Sequence, residues 1–130
     1  MPDGWSSGPG NPCEERLHGP GARPWMRTGL YFGQSRPDGS LIAEAEWERF
    51  LAAEVTPRFP AGLTVTHAHG QWGAVGSVVR EQSRIVVVIY PAERAEASSL
   101  LLEEIRRAYV TQFSQDSVMR EDAAPVCASF

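Results

Sequence analysis

The run Ile85-Val-Val-Val-Ile-Tyr90 is apolar at every position and far shorter than a membrane span. Five β-branched residues in succession are stiff at χ1 and pack well on a pleated surface, which commits the segment to a strand. Alternation sends Ile85, Val87 and Ile89 one way and Val86, Val88 and Tyr90 the other. A strand apolar on both sides belongs in the middle of a sheet and needs cover on both faces. The rest of the chain has to supply that cover.

Reading outward, Thr28 to Phe32 alternates as a short strand, with Leu30 and Phe32 on one side and Tyr31 on the other. Pro37-Asp38-Gly39 makes a turn, and Ser40 is the expected N-cap of a helix running to about Val55. Trp47, Phe50, Leu51 and Val55 form its apolar stripe, and Pro57 ends it. Leu63, Val65 and His67 alternate with threonines as a second strand, and Gly73 to Gly76 forms a hairpin tip leading into the central strand. Leu102, Ile105, Tyr109 and Phe113 recur at helical spacing in a helix from about Glu93 to Phe113. The chain closes on a last strand from Asp116 to Phe130, either interrupted by a short acidic break at Glu121-Asp122 or bulged. Residues 1–26 are rich in Gly and Pro, with Trp5 and Trp25 as the only large apolar anchors, and are expected to be flexible or laid on the surface. Residues 27–130 form a single α+β domain.

The order β-α-β-β-α-β is the ferredoxin-like arrangement, an antiparallel sheet with two helices on one face. With Leu63, Val65 and Ile85 turned toward the helices, Val86, Val88 and Tyr90 fall on the uncovered face. Exposed apolar faces of that size mark interaction surfaces. Either the N-terminal segment crosses that face or a second copy packs on it sheet to sheet; the expectation is the second, a homodimeric α+β barrel.

The chain has 130 residues and a net charge of −4, with no basic stripe, which argues against a nucleic-acid partner. No apolar run suits a membrane span, and the first thirty residues lack the apolar core of a secretory signal, so the expected location is cytoplasmic. Cys13 and Cys127 are either two thiols, the reading that goes with a reducing cytoplasm, or a staple from tail to last strand.

Chemistry-bearing residues gather around the hairpin. Pairing Val65 with Ile85 sets His67 against Ser83, His69 against Glu81 and Gln71 against Val79, so His67, His69 and Glu81 share a face. Two imidazoles and a carboxylate suit zinc or iron, but a polar cross-strand pair, or an acid–base pair without metal, uses the same residues; no metal is expected. Arg58, fixed between Pro57 and Pro60, either pairs with a carboxylate of the chain or stabilises a developing anion. Tyr31, Trp72, Gln71, Arg80 and His67 are the candidate substrate contacts, with Glu81, His69 and Arg58 as the catalytic set. No phosphate-binding glycine loop, CxxC, HExxH or nucleophile elbow occurs, so no cofactor is expected. Two functions fit: a small isomerase, lyase or cyclase acting on a largely apolar molecule between sheet and helices or at a dimer interface, and a non-catalytic binding module.

Leu-Tyr-Phe-Gly at 30–33, Trp47 with Phe50, Thr-Pro-Arg-Phe-Pro at 56–60, Gly-Leu-Thr-Val at 62–65, Gly-Gln-Trp at 70–72, Arg-Glu-Gln-Ser at 80–83 and the terminal Ser-Phe together resemble DUF3574, a bacterial family of unknown function, over residues 29–130. The resemblance implies kinship and lends no activity. Many members resemble exported proteins with a leader. The paired His67 and His69 are not part of the pattern.

Overall fold

Three antiparallel pairings join four strands into one sheet in the order β2-β3-β1-β4, where β1 is Arg23–Gly33, β2 Thr64–Trp72, β3 Val79–Pro91 and β4 Met119–Ala128. The computed structural model describes residues 11–130, so Trp5 lies outside the described residues. A single turn, α1 (Glu15–His18), precedes β1. Helix α2 (Glu44–Phe50) runs on through a π turn at Leu51–Val55, and α3 (Ala95–Phe113) links β3 to β4. This is the expected ferredoxin-like order, with α2 and α3 against one sheet face.

The aromatic spacing read from the sequence builds the core between sheet and helices. Phe32 stands 4.7 Å from Tyr109 and 5.2 Å from Trp47, centroid to centroid; Phe50 lies 5.0 Å from Tyr109, and Phe113 lies 4.8 Å from it. Edge-to-face pairs of this kind each add roughly 0.5–1.5 kcal/mol to the burial of their area. Trp47, Tyr109, Phe32 and Phe50 are essentially inaccessible to solvent. The space between the layers is filled by side chains.

The central strand turns the opposite way from the one expected. Leu30 pairs with Val86, Thr28 with Val88 and Met26 with Tyr90, and these β3 residues are buried beneath the helices. Ile85, Val87 and Ile89 occupy the other face, with Ile89 41% exposed. A strand apolar on both sides carries no pattern to choose between them. The choice falls to polar partners: the Tyr90 hydroxyl stands 2.8 Å from Thr28 Oγ1, and Arg84 reaches Glu44 at the start of α2.

The hairpin is accordingly shifted by one residue. Val65 pairs with Val86, His67 with Arg84, His69 with Gln82, Gly70 with Glu81 and Gln71 with Arg80. A one-residue slip moves every side chain to the other face. The acidic break is also absent. Strand β4 is continuous through Glu121 and Asp122 and takes the bulged alternative, a register shift against β1 between Trp25 and Arg27.

Helix α2 starts at Glu44 rather than after Ser40. Glu46 Oε1 accepts from the Ala43 backbone N–H at 3.0 Å, satisfying one of the donors a helix start leaves open. At the far corner of the sheet, where β1 begins and β4 ends, Cys13 and Cys127 form a disulfide with Cα atoms 5.5 Å apart. The Ser129 hydroxyl donates to the His18 carbonyl beside it. The two-thiol reading is therefore set aside. Bridges of this kind persist in oxidising compartments, which weighs against the cytoplasmic expectation. No described helix is long and apolar enough to cross a membrane.

Candidate functional site

Three strands contribute to the face that the helices leave open. Strand β1 places Arg27, Gly29, Tyr31 and Gly33 there, β3 places Val79, Glu81, Ser83, Ile85, Val87 and Ile89, and β2 places Trp72 opposite Val79. Tyr31, Trp72 and Glu81, expected to line one site, thus share one face. The Tyr31 hydroxyl donates to Glu121 Oε1 at 2.8 Å, and that hydrogen bond, with some burial and the carboxylate's charge, holds the phenol above its usual pKa. Arg27 works against this shift but is the weaker influence. At neutral pH Tyr31 is therefore a protonated donor.

Glu81 stands out among the carboxylates. Glu44, Glu46 and Glu103 are each hydrogen-bonded by an arginine or a backbone N–H and held below the usual carboxylate pKa. Glu81 is half-buried and has no hydrogen bond or ion pair among the described residues. It is packed over Gly33, where an added Cβ would come 2.1 Å from Oε1. The missing side chain at 33 makes the room its carboxylate occupies. Just beyond, the Tyr109 hydroxyl donates to the Gly33 carbonyl at 2.5 Å and accepts from Gln34 Nε2 at 3.1 Å. Burial raises the Tyr109 pKa far above that of a free phenol, and the negative charge of Glu81 adds to the rise. Gln34 is 3% exposed, and its Oε1 is the buried side-chain acceptor that lacks a partner among the described residues.

The remaining expected site residues lie elsewhere. His67, His69, Gln71 and Arg80 follow the register onto the helix side of the sheet and are exposed there. His69 and Glu81 are on opposite faces, so neither the acid–base pair nor the His67–His69–Glu81 cluster forms within the chain. Among the described residues, no group of three His, Cys, Asp or Glu is arranged to hold a metal. His67 pairs with Arg84 in the hairpin, and the Arg84 guanidinium holds the Glu44 carboxyl below its usual pKa. The Arg84 guanidinium lies 5.5 Å above the Trp47 ring, packing the hairpin onto α2.

Arg58 takes its structural alternative and pairs with carboxylates of the helices, Glu54 and Glu104. Its Nε donates to Glu104 at 3.1 Å and its Nη1 to the Glu54 carbonyl at 2.8 Å. These groups line an open groove of about 400 Å³ on the outer side of the helices, together with Arg107, Thr111 and Gln112.

Arg27, Glu121, Gln34 and Tyr109 were not singled out from the sequence as site residues. Glu121 was legible only as half of an acidic pair. In the strand that pair splits by alternation. Asp122 turns to the helix side, accepting from Thr28 at 2.7 Å and from Arg120 at 3.1 Å, while Glu121 turns to the open face. Period-two reading of β4 would have separated them. Gln34 carried a weaker signal, a polar residue ending an apolar strand.

The chain belongs to the family DUF3574, described as protein of unknown function, which matches residues 27–130. A comparison with curated proteins found no match. Among solved structures, a phage SAM lyase in complex with S-methyl-5'-thioadenosine is similar, with TM-score 0.60 and 12% identity over 82% of this chain and 90% of that one. Its apo form gives TM-score 0.59 at 14% identity with the same coverage. CutA from Synechococcus elongatus gives TM-score 0.51 at 14% identity, covering 82% of this chain and 80% of that one. At these identities the likeness is one of fold.

Proposed function

We propose that this protein is a small cofactor-independent enzyme of the lyase or isomerase type, acting on a small, largely apolar molecule at the open sheet face where two copies meet. The observation that carries the reading is Glu81, a half-buried carboxylate without a partner, on the same face as a protonated Tyr31 and the apolar Ile85 and Val87. Among the described residues the interior between sheet and helices is packed with buried rings. A ligand site therefore belongs on the outer face, where a second copy excludes water.

In this reading Glu81 takes a proton from the substrate, while Tyr31, whose ring lies over Gly29 four residues along β1 from the glycine under Glu81, contacts a more distant part of it. His69 and Arg58, on the helix side, have no part in it. The similarity to a lyase solved with S-methyl-5'-thioadenosine makes that nucleoside thioether the first probe, ahead of a panel of small ketones and carboxylic acids.

A second reading, binding without turnover, draws on the Tyr31–Glu121 pair, which already satisfies the phenol within the chain. Thermal-shift titration of the wild type and of Glu81→Gln, followed by product analysis by mass spectrometry, separates the two. The enzyme reading expects turnover of a bound compound, lost in Glu81→Gln at unchanged melting temperature. Binding with no product favours the module. Equal turnover in both proteins removes Glu81 as the base.

A further inference from the structure

The open face has a property that the ligand argument does not use. Arg27 is exposed and has no hydrogen bond or ion pair among the described residues. Glu121, diagonal to it across the β1–β4 pairing, spends one oxygen on Tyr31. Diagonal neighbours of this kind stand roughly 7–8 Å apart, within reach of long side chains, yet the Arg27 guanidinium makes no ion pair with Glu121 among the described residues. One cation and one anion thus sit side by side on the same face, each with spare capacity.

We propose that two copies of this chain pack open face to open face about a two-fold axis, setting Arg27 of each over Glu121 of the other. A two-fold interface is self-complementary, so a patch bearing one charge of each sign is matched by its own copy. An axis lying between the sheets and perpendicular to the line from Arg27 to Glu121 exchanges the two. With strands about 4.8 Å apart and about 3.4 Å per residue, the same axis passes close to Val87, which then meets its own copy. Ile89, 41% exposed, is carried toward the neighbourhood of Met119, 56% exposed, on the facing sheet. The two reciprocal charge pairs fix the angle at which the apolar residues meet, which apolar contact alone would leave free.

The described part of the N-terminal segment leaves the patch free. Cys13 is tied to Cys127, which pairs with Pro24 at the neighbouring corner of the sheet, and Arg27 and Ile89 remain exposed beside it. The inference shares only the open face with the functional reading, since the seam centres on Val87 and leaves Glu81, six residues along β3, at its margin, and the test keeps the two apart.

Sedimentation equilibrium on the full chain measures the association of wild type, Arg27→Glu, Glu121→Arg and the double exchange. Each single change places like charges opposite one another and is expected to weaken association by roughly tenfold or more; the double exchange restores it to within about threefold. Because Glu121→Arg also removes the acceptor of Tyr31, Tyr31→Phe serves as the control and is expected to leave association unchanged. A wild type that stays monomeric overturns the proposal. So does a dimer in which the double exchange is no better than the single changes; that result leaves the roles of Tyr31 and Glu81 standing. A charge-rescued dimer that binds no probe does the reverse.

Discussion

The two faces of the sheet are built from similar residues and solve opposite problems. Beneath the helices Leu30, Phe32, Val86 and Val88 are sealed, and the polar groups among them are bonded in sequence. Thr28 gives its single proton to Asp122, so the Tyr90 hydroxyl donates to Thr28, and Arg120 closes the chain from Asp122 to Glu103. On the open face Ile85 and Val87 are only partly buried and Ile89 is 41% exposed, Arg27 is unpaired and Glu81 has no hydrogen-bond or ion-pair partner among the described residues. A face that closes its polar bonds this far, with Gln34 Oε1 the buried acceptor left over among the described residues, is built for stability. One that leaves charges open beside apolar side chains is built to meet something else, because burying such groups unpaired is costly. The contrast, more than any one residue, points to the open face as the working surface.

The hardest blow to that contrast would be finding that the two faces respond alike to truncation. Phe32→Ala removes the ring shared by Trp47, Phe50 and Tyr109, and it is expected to cost about 3–5 kcal/mol of unfolding free energy. Val87→Ala, on the face opposite, is expected to cost about 1 kcal/mol or less in the dilute monomer, since its surroundings there are partly solvent. Urea unfolding at low protein concentration compares the two. Similar losses would mean that the open face carries as much of the fold as the core does.

Which parts of this contrast were visible in the sequence follows from how strongly a residue pattern is constrained. Trp47, Phe50, Tyr109 and Phe113 were legible as core because helical spacing admits one buried stripe, and the element order followed from it. The orientation of β3 was not. Five β-branched residues in succession satisfy either face, and the deciding groups, Tyr90 with Thr28 and Arg84 with Glu44, are pairs distant in sequence. The hairpin register inherited that ambiguity, and with it the supposed meeting of His69 and Glu81. The disulfide was left open because 114 residues separate its cysteines, and sequence does not measure the distance between them in space.

A subtler change tests whether the polar chain beneath the helices is closed as described. Thr28→Val keeps the shape of a fully buried side chain while deleting the hydroxyl that joins Tyr90 to Asp122. Leaving those two groups without their shared partner is expected to cost about 1–3 kcal/mol. Adding Tyr90→Phe should recover part of the loss, because the hydroxyl stranded by the first change is then absent. A double variant less stable than the sum of the two singles would show that Tyr90 finds another partner and that the chain is not closed.

The smallest expected effect on stability carries the sharpest functional consequence. Gly33 has an ordinary backbone that alanine can adopt, but the new methyl would fall where the Glu81 carboxylate rests and would meet the tip of Gln115 at 3.3 Å. Both obstacles are the far ends of flexible side chains, so Gly33→Ala is expected to shift stability by about 1 kcal/mol or less. The carboxylate, however, has to leave its seat, and a base displaced by even an ångström loses much of its reach to a substrate proton. The expected result is a near-native melting temperature, retained dimerisation and loss of ligand turnover, read by thermal melting, sedimentation and product analysis on one preparation. If turnover survives that displacement, the room made by the glycine at 33 matters only for packing, and the open face works without Glu81.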